Sequence, residues 1–139
     1  MILGFFTQND DSLITPLAVS LGAIPGALSR YYLTIGLAQW LGTRFPFGTF
    51  VINLSGALLM GFVATLVGSQ VITSPKLQIL MINGFLGSYT TFSTFALDTS
   101  ILLRNGSYTK AMFYWLASMV LGGICLEVGI ILANMIGSN

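Results

Sequence analysis

Between Leu13 and Ile136 the chain runs in four long apolar stretches that almost nothing charged interrupts. They cover 13–41, 47–68, 77–103 and 108–136. Each reaches the roughly 20 mostly apolar residues a helix needs to cross a bilayer. The turns between them are short and polar, with Pro46 in the first, Pro75 in the second and Arg104-Asn105-Gly106-Ser107 as the third. In lipid a lone segment must satisfy its own backbone, which only a helix does, so the pattern predicts an all-α membrane protein with four transmembrane helices. Charge supports this: 6% of the 139 residues are charged, against about 25% in an average soluble domain. So few charges cannot coat a water-facing globule, and a soluble enzyme is excluded. A net charge of +1 with no basic cluster leaves no footprint for nucleic acid. With no histidine and Cys125 alone, no His/Cys metal site, haem ligation or disulfide framework can be drawn. Residues 1–12 show neither a basic n-region nor a cleavage pattern and read as an N-terminal extension, leaving 13–139 as one four-helix domain.

The third stretch is unlike the others. Residues 83–95 read Asn-Gly-Phe-Leu-Gly-Ser-Tyr-Thr-Thr-Phe-Ser-Thr-Phe, too polar and glycine-rich for a lipid-facing helix. Two glycines three apart, followed by a run of hydroxyl residues, predict a helix broken at its centre. Nonhelical backbone at membrane depth survives only inside protein or along a wet cavity, and such breaks let carbonyls and half-helix ends hold ions. The plainer reading is a hydroxyl-rich packing face, since Ser, Thr and Gly are common where membrane helices touch.

Polar residues elsewhere fall into register. Thr49 and Asn53 are four apart and share a face of the second helix. Tyr114, Ser118 and Gly122 form a similar stripe on the fourth, and Phe92 and Phe95 share a face after the break. Each pair alone fits packing as readily as function, but a midspan Asn53 carboxamide must find partners or water. Together the stripes describe a narrow track of hydroxyl, amide and aromatic edges with almost no formal charge.

Intramembrane charges are default functional candidates, here Arg30, Asp98 and Glu127. Arg30 can instead snorkel from near a helix end. Asp98 lies one turn beyond Phe95, near the mouth of any central cavity, and Glu127 has no evident partner. Orientation is weakly encoded. Arg44, Arg104 and Lys110 lie in the first and third turns against Lys76 in the second, which nominally makes the odd turns cytoplasmic.

Three segments carry a family resemblance: Gly26-Ala27-Leu28-Ser29-Arg30-Tyr31, Phe47-Gly48-Thr49-Phe50-Val51-Ile52-Asn53-Leu54-Ser55-Gly56, and Gly84 through Phe95. In order and spacing they resemble the Fluc (CrcB) fluoride channel family, over residues 15 to 136. Asp98 stands where that family usually has Glu, and Gly122 where a pore hydroxyl often sits. The resemblance implies an antiparallel, dual-topology homodimer in the cell (plasma or inner) membrane, with two fluoride pores. It implies pore roles for Asn53, Phe92, Phe95, Ser93, Thr94, Tyr114 and Ser118, with Thr49 on the same track, and a vestibule role for Arg30. It also implies a central Na+ held by the carbonyls of Gly87 and Thr90 from both subunits.

Two other classes fit the size. A small dual-topology multidrug exporter normally needs a carboxylate in its first span, which holds Arg30 and no acid. A noncatalytic subunit of a larger membrane complex explains the small-residue faces but not the polar track.

Overall fold

The computed structural model describes residues 13–137. Among these the chain is helical, with no strand. Helix α1 spans Ile14–Leu41, α2 Phe47–Gly68, α3 Pro75–Gln78, α4 Gly87–Tyr89, α5 Phe92–Arg104 and α6 Tyr108–Gly137. A π-helical segment, Ile79–Leu86, joins α3 to α4, so 75–89 is one continuous half-helix. The four expected stretches are therefore four helical paths, with bounds within a few residues of the sequence reading. The proposed extension at 1–12 lies outside the described residues.

Two of these helices, α2 and α6, are long and apolar enough to cross a membrane by length and composition. The other two paths differ for identifiable reasons. At 28 residues, α1 is about 42 Å long, but polar side chains and Pro25 dilute it. It stays helical through Pro25. The third path is long enough only as the sum of two halves.

The break is sharper than the sequence suggested. The backbone remains helical through Tyr89 and leaves the helical region at Thr90 (φ −78°, ψ 156°) and Thr91 (φ −150°, ψ 116°). Gly87, expected inside the unwound region, keeps helical angles (φ −63°, ψ −33°). The polar run therefore divides into a wide-coiled π segment upstream and a two-residue extension downstream. Thr91 begins the second half, its Oγ1 accepting the Thr94 N–H at 3.3 Å as an N-cap.

Small residues bring the paths together. Gly22 and Gly84 face each other where α1 crosses the π segment, and a Cβ at Gly84 would lie 2.9 Å from the Gly22 Cα. Gly26 fits against Phe85 and Ser88, whose hydroxyl donates to the Ala23 carbonyl at 3.1 Å. Gly61 meets the backbone at Leu126, and Gly129 the backbone at Leu58, drawing α2 and α6 into contact. Close backbone approach through Gly is the normal means of helix association where lipid offers no hydrophobic contrast. One core cluster gathers Phe95, Leu102, Ala111 and Tyr114 beneath Phe45 and Phe50; another joins Val63, Val67 and Leu86. The outer faces are apolar, with Leu17, Leu21 and Ile24 of α1 and Met112, Leu116 and Val120 of α6 all exposed. That inverted distribution suits a hydrocarbon surround.

The α2–α6 seam supplies a direct test. A Cβ at Gly129 would collide with the Leu58 carbonyl oxygen, whereas one at Gly123 meets nothing within 4 Å. Gly129→Ala should destabilise the protein by about 1–3 kcal/mol, the usual cost of overpacking. Gly123→Ala should leave the Tm in detergent unchanged.

Candidate ion pathway

The site is built around the break. Asn53, on the inner side of α2, faces Thr91. Its Oδ1 accepts the Thr91 N–H at 2.9 Å, and its Nδ2 donates to the Thr91 carbonyl at 3.1 Å. One carboxamide thus satisfies both polar groups of the residue that leaves the helix, as a paired strand would. The backbone N–H can only donate, so the amide orientation is set by its partners. One Nδ2 hydrogen remains for another acceptor.

This contact and the Thr91 cap release two carbonyls upstream. In an uninterrupted helix the Thr91 N–H would bond to the Gly87 carbonyl, and the Thr94 N–H to that of Thr90. Here Thr91 donates to Asn53, and Thr94 to the Thr91 hydroxyl. Gly87 and Thr90, the expected carbonyl donors to a cation, are thereby freed of their α-helical partners, and Gly87 is exposed. Downstream, the free N–H groups opening α5 carry the positive end of a helix dipole. The break presents acceptors on one side and donors on the other.

Two clefts flank the next level of the track. One, of about 360 Å³, is lined by Asn53, Thr91, Phe92, Phe95, Ser118 and Met119 among others. The Ser118 Oγ is buried and has no hydrogen-bond partner. The other, of about 300 Å³, opens at the α1–α2 turn and includes Thr34, Arg44, Thr49, Thr94 and Asp98. Thr94 faces one and Phe95 the other. Between these levels Phe95 packs on Tyr114, with ring centroids 5.0 Å apart.

The expected residues separate into groups. Asn53, Phe92, Phe95 and Ser118 share one cleft. Thr49 and Thr94 line the other. Phe92 and Phe95 lie 6.0 Å apart, yet Phe95 is 6% exposed and Phe92 75% exposed, so Phe92 projects from this chain. Ser93 is also exposed. Tyr114 is fully buried, and its hydroxyl donates to Asp98 Oδ2 at 3.4 Å. The Thr49 hydroxyl donates to the same oxygen at 2.7 Å, which commits its one proton to a carboxylate. Arg30 is half-buried on α1 and lines neither cleft. Glu127 is exposed on α6, and Gly122 has open space where a Cβ would stand.

Sequence reasoning missed Thr91. Its signal was available in principle: a Thr opening an apolar helical run is an N-cap pattern, and the carboxamide of Asn53 needed a matching donor and acceptor. It also missed that Asp98 gathers the hydroxyls of Thr49 and Tyr114, which lie on different helices.

The carboxamide clamp predicts a graded response. Asn53→Ala leaves the Thr91 N–H unpaired, which should cost about 1–3 kcal/mol, while the Thr91 carbonyl keeps the first intrahelical bond of α5. Asn53→Asp retains an acceptor for the N–H but sets an oxygen against the Thr91 carbonyl. Hydrogen exchange at Thr91 should therefore accelerate strongly in the Ala variant and less in the Asp variant. Equal protection in all three proteins would show that the clamp does not hold the break.

Comparison with known proteins places the sequence in a family. Residues 17–130 match the profile of the CrcB-like protein, Camphor Resistance (CrcB) family. A protein of Trichormus variabilis named fluoride-specific ion channel FluC is 52% identical over 125 residues, covering 89% of this chain and 91% of that protein. Its namesake in Synechocystis sp. is 49% identical over 123 residues, covering 88% of this chain and 95% of that protein. Another in Synechococcus sp. is 47% identical over 124 residues, with 89% and 95% covered. With the matched residues running from within α1 to within α6, this chain is a membrane protein that belongs to the CrcB family.

Proposed function

We propose that this protein is a passive, fluoride-selective anion channel that lets cytoplasmic fluoride leave the cell across the plasma or inner membrane. The observation that carries the reading is the cleft in which a buried, unpartnered Ser118 hydroxyl stands with Asn53, Phe92 and Phe95. The name shared by its relatives, fluoride-specific ion channel, supports the same assignment.

Fluoride is compact and strongly hydrated, so a selective path must replace water with well-aimed donors. Ser118 offers a free O–H and Asn53 its second Nδ2 hydrogen. The positive edge of an aromatic ring can face an anion where its negative face cannot, which gives Phe92 and Phe95 a role without a buried cation. A weak, multi-point track lets the ion leave as readily as it enters. Fluoride crosses membranes as its neutral acid and ionises in the less acidic cytoplasm. A passive path then suffices, since about 2.3 kcal/mol per charge at 100 mV sustains roughly a 50-fold gradient. No step of this reading is enzymatic.

The conducting unit in this reading is an antiparallel, dual-topology homodimer with two pores. The projection of Phe92 and the exposed face of α5 favour a second copy completing each pathway. Asn53, Phe92, Phe95, Ser93, Thr94, Tyr114, Ser118 and Thr49 would line or support the pores, with Arg30 near the vestibule. The carbonyls of Gly87 and Thr90 fit a monovalent cation that prefers neutral oxygen ligands, because the Asn53 clamp and the Thr91 hydroxyl cap free them, in that order, of their α-helical partners. They would hold one structural Na+ between the subunits, which would tie the two broken helices together.

Reconstituted liposomes test the conduction path. Fluoride efflux should be fast without a proton gradient and chloride efflux negligible. Phe92→Ile and Phe95→Ile keep bulk but remove the quadrupole, and each should reduce flux by tenfold or more while the protein stays folded. Comparable fluoride and chloride rates would overturn the channel reading.

The cation has its own readout. A ligand that binds only the folded state raises stability with its concentration. Replacing Na+ by N-methylglucamine during purification should lower the Tm, and returning Na+ should restore it. A Tm indifferent to Na+ would remove the cation from the proposal.

A further inference from the structure

We propose that Arg44 is an anion-loading residue at the outer rim of the pathway, drawing a small monovalent anion into the cleft between α1, α2 and α5. The inference rests on the channel reading and adds a residue to it.

The turn after α1 sets this side chain in place. Gly42 adopts a positive φ of 81°, a conformation that L side chains rarely adopt, and the chain then passes through Thr43 and Arg44 to Pro46 before α2 begins. Gly48, whose Cβ would stand 2.9 Å from the Thr34 Cα, lets α1 close against the start of α2. The result is a cleft of about 300 Å³ lined by exposed Thr43 and Arg44 at the turn and by buried Thr49 and half-buried Asp98 on α2 and α5.

Charge is asymmetric along this cleft. Arg44 is its one cationic lining residue and Asp98 its one acid. At the inner end Asp98 Oδ2 already accepts the hydroxyls of Thr49 and Tyr114, which disperse its charge. At the rim Arg44 is exposed. An anion arriving from bulk water therefore meets a guanidinium first and a hydroxyl-screened carboxylate only later. A cation held at a solvated rim raises local anion concentration without binding it tightly, which suits loading rather than storage. Arg30, the other arginine of this half of the chain, lies outside the lining.

The test compares fluoride efflux from zwitterionic liposomes carrying wild type, Arg44→Lys or Arg44→Gln. At 10 mM ionic strength, where the Debye length is about 30 Å, Arg44→Gln should slow the initial rate about two- to fivefold, and Arg44→Lys should stay near wild type. At 1 M, where it is about 3 Å, the three should converge. A second route does not depend on the Gln variant folding: Arg44→Cys in a Cys125→Ser background is labelled after assembly. A cationic thiosulfonate should then restore the low-salt rate, and an anionic one should lower it further.

Equal low-salt rates for wild type and Arg44→Gln would overturn the proposal. So would a loss seen only in anionic vesicles, which would make Arg44 a headgroup anchor. If wild type itself carries no fluoride, the channel reading fails, and that outcome is distinct from a conducting channel indifferent to Arg44.

Discussion

The two hydrogen bonds between the Asn53 carboxamide and Thr91 hold together most of what is distinctive in this molecule. A helix interrupted at membrane depth exposes backbone groups that hydrocarbon cannot satisfy, at several kcal/mol each. Asn53 takes both groups of Thr91, and the Thr91 hydroxyl then caps α5. Thr90 and Thr91 can stay extended only because this second source of hydrogen bonds lies one helix away. Loss of the clamp would leave the third path a choice between a continuous helix and unpaired backbone.

Everything around the clamp depends on how closely backbones approach it. Gly56 lies against Thr90 and Tyr89, so α2 carries Asn53 to the break without a Cβ intervening. On the other side Gly22, Gly26 and Gly84 bring α1 onto the first half-helix, and Ser55 bonds the Tyr89 hydroxyl at 2.8 Å just before the chain opens. The first half-helix is thus gripped by α1 and α2. The second half, α5, packs chiefly on α6 through Phe95 and Leu102 and leaves Phe92, Ser93 and Leu97 exposed. One half is anchored and the other offers an exposed face.

The acid on the track illustrates how tertiary context changes a residue's meaning. Asp98 read alone is an intramembrane carboxylate beside a proposed anion route. In the fold it accepts Thr49 from α2 and Tyr114 from α6, so it joins three helices at the level of the Phe95–Tyr114 contact. The hydroxyl of Thr49, expected on the pore track, is spent on that junction, whereas the hydroxyl of Ser118 has no partner.

Sequence alone determined the class of the protein, the four helical paths and the location of the irregular one. Apolar run length and the solvation of backbone groups act locally, so composition and spacing suffice for them. The stripes at three- and four-residue spacing also placed Asn53, Phe95 and Ser118 in one set, because helical periodicity carries side-chain direction. Tertiary structure decided the rest. Whether Gly87 or Thr90 leaves the helix, which of two phenylalanines is buried, and whether a threonine hydroxyl is free depend on partners 16 to 49 residues away in the chain. Those partners compete for the same few hydrogen-bonding sites, and only the packed arrangement settles which competitor is within reach.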